Sequence, residues 1–339
     1  MDDPWSTMTT TEPDTTDSLL AGIVTAAELS HEHFPDLTEF VPGIIFEGFG
    51  IVAGPPKLGK SWLTLGIALA VAGGGRALGQ IECAQRPVLL LALEDSQRRL
   101  QSRITTLWGT EIPPYKLHLL TQVGPNLLVP TISAWLQQYP NGLVVLDTLG
   151  RARRQRRNGE DPYLADYAAG VELKQCVDAF PGSALLGVHH TRKAHSDDFI
   201  DALSGTQGLA GSADYVLVLK RPRNSTEATL QLTGRDAPEG EYALTVQAGA
   251  WLLNGRDLNA ASDAAQTLRE RGNLGDRSAD ILNVVNARTR EGLITTAADI
   301  SAKIGITQND AGTYLRRLAD AERIAKVSRG TYMGVSETS

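Results

Sequence analysis

The chain has 339 residues, 42% hydrophobic and 21% charged, with a net charge of −7. This is the composition of a soluble globular protein with room for one large domain and a small one, and it excludes nucleic-acid binding through a uniformly basic surface; any such contact has to come from local patches. Cys83 and Cys176 are the only cysteines, with no C-x-x-C and no histidine cluster, which argues against structural zinc or a disulfide framework and predicts a reduced, cytoplasmic protein.

Within an N-terminal tail expected over 1–33, Met1 to about Ser30 is rich in Thr and Ser, carries Asp2, Asp3, Glu12, Asp14, Asp17 and Glu28, and has no Lys or Arg. It reads as a disordered acidic tail with a short helix near Ala26–Leu29. The tail has no basic segment leading into an apolar core, so no signal peptide is predicted. The most apolar helix, around Ala68, is bounded by glycines and too short to span a bilayer, so no membrane partner is expected. A nucleotide-binding domain is expected over 34–255, opening with FPDLTEFVPGIIFE.

Gly50–Ala53 reads as a buried strand, and the following GPPKLGKS (Gly54, Pro55, Pro56, Lys57, Leu58, Gly59, Lys60, Ser61) fits the phosphate-loop pattern G-x-x-x-x-G-K-[ST]. Leu63, Ile67, Leu69, Ala70 and Val71 then continue at helical density as far as Gly73. Strand, glycine loop and helix together predict an ATP and Mg²⁺ site. The glycines let backbone N–H groups point at phosphate oxygens, Lys60 reaches the β- and γ-phosphates, and Ser61 holds the metal.

Val88–Leu93 is a continuous apolar run that predicts a strand covered on both faces. It ends at Glu94–Asp95 ahead of a helix carrying Leu100, Ile104 and Leu107, and Asp95 or Ser96 suffices to cap that helix. Glu94 is then the candidate base for the attacking water. Lys116–Leu120 and Leu143–Leu146 are further strands, with a helix over Ile132–Tyr139 between them. Asp147 ends the second strand as the expected magnesium partner of Ser61. The run Arg151, Arg153, Arg154, Arg156, Arg157 follows at once. It is either a solvated loop or a DNA-backbone contact.

Asp161–Phe180 reads as a helix and Ala184–Val188 as a strand leading into His189–Lys193, where His190 is placed to sense the γ-phosphate. Ala194–Gly211 reads as a glycine-rich loop, followed by strands over Asp214–Lys220, Ala228–Leu232 and Tyr242–Val246. Residues 256–276 are polar, alanine-rich and weakly helical, and read as a linker or a linker helix. Over 277–336, helices at Ala279–Ala287, Thr296–Ile304 and Thr307–Asp320 precede a hairpin from Ile324 to Val335. Thr296 with Asp299, and Thr307 with Asp310, match the capping box on either side of Gly305. With Arg316, Arg317, Lys326 and Arg329 on the third helix and hairpin, this predicts a winged helix-turn-helix that binds DNA.

GIVAGPPKLGKSWL, VLLLALEDS, LVVLDTLGRARR, GVHHTRK, SGTQGLAGSADYVLVLKR and TGRDAPEG, in that order, resemble the ATPase core of RepA-like hexameric helicases, within the RecA-like P-loop family. The resemblance covers about Phe34 to Leu253. It implies an α/β RecA-like core with a mostly parallel sheet, a homo-hexameric ring and ATP sites between subunits. It also implies a trans-acting arginine finger, at Arg235 first and Arg221 second. Single-stranded DNA would lie in the central channel against Arg151–Arg157 and Ala194–Gly211. The terminal winged helix is not part of the minimal helicase.

These features predict a DNA-binding ATPase, a replicative helicase of a plasmid, phage or integrated element, with a primase or initiator as partner. The alternative is an ATP-gated initiator or regulator without unwinding activity. A small-molecule kinase shares the phosphate loop but leaves the DNA-binding tail without a use.

Overall fold

The computed structural model describes Leu20 and residues 22–152, 161–191, 207–222 and 225–335. Residues 1–37 and 38–339 are separate units. In the first, the described helix is α1 (Ala26–Leu29), where the Thr25 hydroxyl and the Glu28 carboxylate cap each other's backbone N–H groups. Residues 1–19 of the expected tail lie outside the described residues.

The second unit begins with the antiparallel pair β1 (Glu39–Val41) and β2 (Ile45–Phe46) and enters β3 (Gly48–Gly54). Helix α2 (Lys60–Gly73) follows the phosphate loop. It is buried on nearly all sides because it packs against the main sheet and is flanked by the short strand β4 (Arg76–Ala77), which pairs with β5 (Ile81–Glu82). Then come β6 (Val88–Ala92), α3 (Gln97–Trp108), β7 (Leu117–Leu120), α4 (Leu128–Gln138) and β8 (Leu143–Asp147). Helix α4 starts four residues before the predicted Ile132; Pro130 lies in its first turn, where its missing N–H leaves no intrahelical bond unmade. The chain continues through α5 (Leu149–Ala152), α6 (Pro162–Asp178), β9 (Ala184–His190), α7 (Gln207–Ser212) and β10 (Tyr215–Lys220) to a meander of β11 (Glu227–Gly234), β12 (Gly240–Gln247) and β13 (Ala250–Leu253).

These strands form a nine-stranded sheet in the order β13-β12-β11-β10-β3-β9-β8-β6-β7. The six strands from β10 to β7 are parallel and the meander is antiparallel. Successive strand residues face opposite sides. Val52, Leu90, Val145, Leu186 and Leu217 therefore join the α2 core, while Ile51, Leu91, Val144, Leu185 and Val216 join a second core with α4 and α6. Covering both faces is what requires the unbroken apolar runs read in the sequence.

Of the two readings of residues 256–276, the helical one is what the structure has, from Leu258 onward. Asp257 caps Ala260, and one 33-residue helix, α8 (Leu258–Arg290), runs on from there. Its start buries Ala261 against the main core, and its end places Ile281 and Val285 in a third core. Around that core lie β14 (Thr295–Thr296), α9 (Ala297–Ile304), α10 (Gln308–Asp320), β15 (Ile324–Ser328) and β16 (Thr331–Gly334), with a small sheet in the order β14-β16-β15. Gly305 ends α9 at φ 77°, and Thr307 caps α10 two residues later.

Candidate nucleotide site

All parallel strands send their carboxyl ends to one edge of the sheet, and the phosphate loop opens there between β3 and α2. Gly59 closes the loop at φ 101°, a conformation an L side chain rarely adopts; a Cβ there would lie 3.1 Å from the Trp251 ring. Lys57, at the exposed tip, also has positive φ. Lys60 is buried, and its Nζ donates to the Gly54 carbonyl at 2.6 Å, to the Pro55 carbonyl at 2.8 Å and to His190 Nδ1 at 3.0 Å. Because an ammonium only donates, His190 Nδ1 accepts, which assigns the ring proton to Nε2, 3.8 Å from Glu94 Oε2.

Register brings the other groups in. Gly54 pairs with His190, and the Thr191 N–H donates to the Gly54 carbonyl at 3.1 Å, so the end of β9 is tied to the loop. Ala92 pairs with Asp147, which sets Glu94 beside the end of β8. There the Thr148 hydroxyl donates to Glu94 Oε1 at 3.1 Å. Asp95 points elsewhere, accepting from Arg99 at 3.2 Å and from Arg103, whose guanidinium also stacks on Trp62. The capping duty falls to Ser96. The adjacent acids thus divide their tasks, and Glu94 keeps its carboxylate at the site.

Burial dominates the electrostatics. It pushes Lys60 down to about 8, although Asp147 and Glu94 pull the other way. Burial likewise raises the Asp147 carboxyl above its ordinary value, opposed by a hydrogen bond from the Ser61 hydroxyl. His190 is lowered first by burial and next by the neighbouring Lys60, so its imidazole is neutral near pH 7. Asp147 Oδ1 is buried without a hydrogen-bond partner among the described residues. A bare carboxylate oxygen next to a hydroxyl fits a hard cation such as Mg²⁺, which takes its other ligands from phosphates and water.

The structure therefore brings together Gly54–Ser61, Glu94, Asp147 and His190. Arg235 does not join them within one chain. Gly234 pairs with Tyr215, at the sheet edge opposite Gly54, and the exposed Arg235 there donates to the Gly211 carbonyl at 3.3 Å. Arg221 leaves β10 on the phosphate-loop side, 5.7 Å from the Trp251 ring centroid. Arg151 is exposed on α5, while Arg153, Arg154, Arg156 and Arg157 lie outside the described residues. So does Ala194–Thr206 of the expected glycine-rich loop; its end, from Gln207, is the helix α7. Arg316 and Arg317 are exposed on α10, with Lys326 on β15 and Arg329 in the turn after it.

Two residues of the site were not singled out from the sequence. Thr148 had a weak local signal, a hydroxyl next to the strand-end Asp147. Trp251 had none: its indole donates to the Gly59 carbonyl at 3.1 Å across the whole domain.

Among solved structures, the chain is similar to "Crystal structure of the RadB recombinase", at 16% identity and a TM-score of 0.43, over 70% of this chain and 96% of that one. A family model described as an AAA domain matches residues 14–196, more than half of the sequence, including the phosphate loop, Glu94, Asp147 and His190. The chain belongs to that AAA-domain family.

Proposed function

We propose that the chain is an ATP-hydrolysing, DNA-binding ring protein of the RecA type, acting as a replicative helicase of a plasmid, phage or integrated element. The observation that carries the reading is the convergence of Lys60, Ser61, Glu94, Asp147 and His190 on one sheet edge. Lys60 exchanges its bonds to the Gly54 and Pro55 carbonyls for the β- and γ-phosphates. Ser61 and Asp147 hold Mg²⁺, which when bound neutralises charge on the phosphate oxygens. Glu94, oriented by Thr148, accepts the proton of the attacking water. His190 loses its Lys60 partner when the lysine turns to phosphate, and so passes the state of the site to the segment after β9.

Charge on the transferring phosphate is met by Arg235 of a neighbouring subunit, with Arg221 as the second candidate. The position of Arg235 away from its own loop supports a role in trans. Six subunits would hold single-stranded DNA in a central channel, with Arg151 among its contacts, and the C-terminal unit would act as a winged helix on duplex DNA.

The test is ATP turnover with and without single-stranded DNA, with Lys60→Ala as the blank. The expected outcome is stimulation by DNA and loss of turnover by two to three orders of magnitude in Glu94→Gln. Hydrolysis that persists in Glu94→Gln removes the base assignment. Slow turnover indifferent to single strands favours the second reading, an ATP-gated initiator or regulator. The exposed Arg316 and Arg317 on α10 are the observation behind that reading.

A further inference from the structure

Trp251 lies on β13, far from the phosphate loop in sequence and against it in space. Its indole is buried and donates to the Gly59 carbonyl at 3.1 Å. A buried indole N–H takes a hydrogen-bond partner as a rule, and the partner here is a carbonyl that is already occupied. As the first carbonyl of α2, Gly59 also receives the Trp62 and Leu63 N–H groups, at 3.1 and 3.0 Å. The indole is its third donor. The bond is therefore not required to satisfy the carbonyl; it fixes the direction of a peptide.

That peptide faces the ligand. The Gly59–Lys60 bond is trans, so the Lys60 N–H points opposite to the Gly59 carbonyl. With the carbonyl drawn along α2 and toward Trp251, the Lys60 N–H is aimed out of the first turn, on the side of the phosphate loop. N–H groups of a first turn have no intrahelical acceptor and are free for an anion. Gly59 cannot set this direction alone, because it caps α2 at φ 101° without a side chain.

The indole is itself held in place. Trp251 pairs with Val246 across the β12–β13 hairpin, and the Arg221 guanidinium lies over its ring at 5.7 Å. The hairpin turn closes on the start of α2, where a Cβ on Gly249 would come within 2.5 Å of the Trp62 ring. We propose that Trp251 is a positioning residue for nucleotide binding, acting through the Gly59 carbonyl to aim the Lys60 N–H at the bound phosphates. The proposal rests on the ATP site described above and adds to it a residue 192 positions away in the chain.

The test uses the full-length chain and Trp251→Phe, which keeps a buried ring and removes the N–H donor. Calorimetry reads the affinity and the number of sites for Mg–ATP and for Mg–tripolyphosphate, which has phosphates but neither base nor sugar. Trp251→Phe should weaken both ligands by a similar factor, roughly fivefold, with the number of sites unchanged. The KM for ATP should rise by about that factor, and kcat should change less than KM.

Unchanged affinity of Trp251→Phe for both ligands overturns the proposal and leaves the ATP site standing. Weakening confined to ATP places the indole's effect on the base or sugar and also overturns it. So does an unaltered chain that binds ATP but not tripolyphosphate, since the phosphates then do not carry the affinity. Fewer sites at an unaltered Kd, with a lower denaturation midpoint, make Trp251 a packing residue and overturn its positioning role. Failure of the unaltered chain to bind Mg–ATP overturns the ATP reading and the proposal together.

Discussion

Lys60 is a cation held where burial disfavours its charge. Its pKa near 8 lies below the 10.5 of a free lysine, while bound triphosphate would favour the ammonium form and raise it again. ATP binding should therefore take up little proton at pH 7 and approach one proton above pH 8. Affinity should fall as pH rises past about 8, by at most about tenfold per unit. Calorimetry in buffers of different ionisation enthalpy reads the proton directly; a flat profile from pH 7 to 9.5 would mean that Lys60 is fully charged throughout. Lys60, Ser61 and Asp147 were legible in the sequence because a short loop and two strand ends define them locally. Trp251 was not, since it meets Gly59 only through the order of strands, 192 residues away in the chain. Glu94 was separable from Asp95 only by weighing roles, and the arginines on α3 supply the reason: they hold Asp95.

At the scale of elements, capping decides where helices begin. Thr296 and Asp299 exchange bonds in both directions, and the Asp299 carboxyl is held below its ordinary value, chiefly by the Thr296 hydroxyl. Thr296→Ala should cost about 1 kcal/mol, read as a lower denaturation midpoint with an unchanged denaturant slope. No loss of stability would assign the start of α9 to tertiary packing alone. Both caps of this unit were visible as Thr-x-x-Asp spacing. The helix α7 was not visible, because QGLAGS is poor in helix formers and reads as a loop. Its glycines serve packing: Gly208 admits the α6 backbone, and that contact outweighs weak local propensity. The continuity of α8 was likewise hidden, since alanine-rich polar sequence marks a weak helix and its apolar partners lie at its two ends, in different cores.

At the scale of the molecule, one chain places its phosphate loop and Arg235 at opposite edges of one sheet. If Arg235 serves a neighbour's site, Lys60→Ala and Arg235→Ala chains are each inactive but complement when mixed. An equal mixture should regain roughly a quarter of the unaltered rate, because about one heterologous interface in four pairs an intact loop with an intact arginine. No recovery would remove the trans assignment from Arg235. The sheet class followed from the apolar runs, but the position of β3 between β10 and β9 did not, because strand order depends on crossovers that no local pattern encodes. Among the described residues no helix is long and apolar enough to cross a membrane. Helix α8 has a mechanical consequence. At 33 residues it is a strut about 50 Å long, rooted against β12 and ending among α9, α10 and β16. A tilt of about 5° at its root would sweep the far end through about 4 Å. Small adjustments of the meander would thus become displacements of the terminal unit comparable to the rise between neighbouring base pairs.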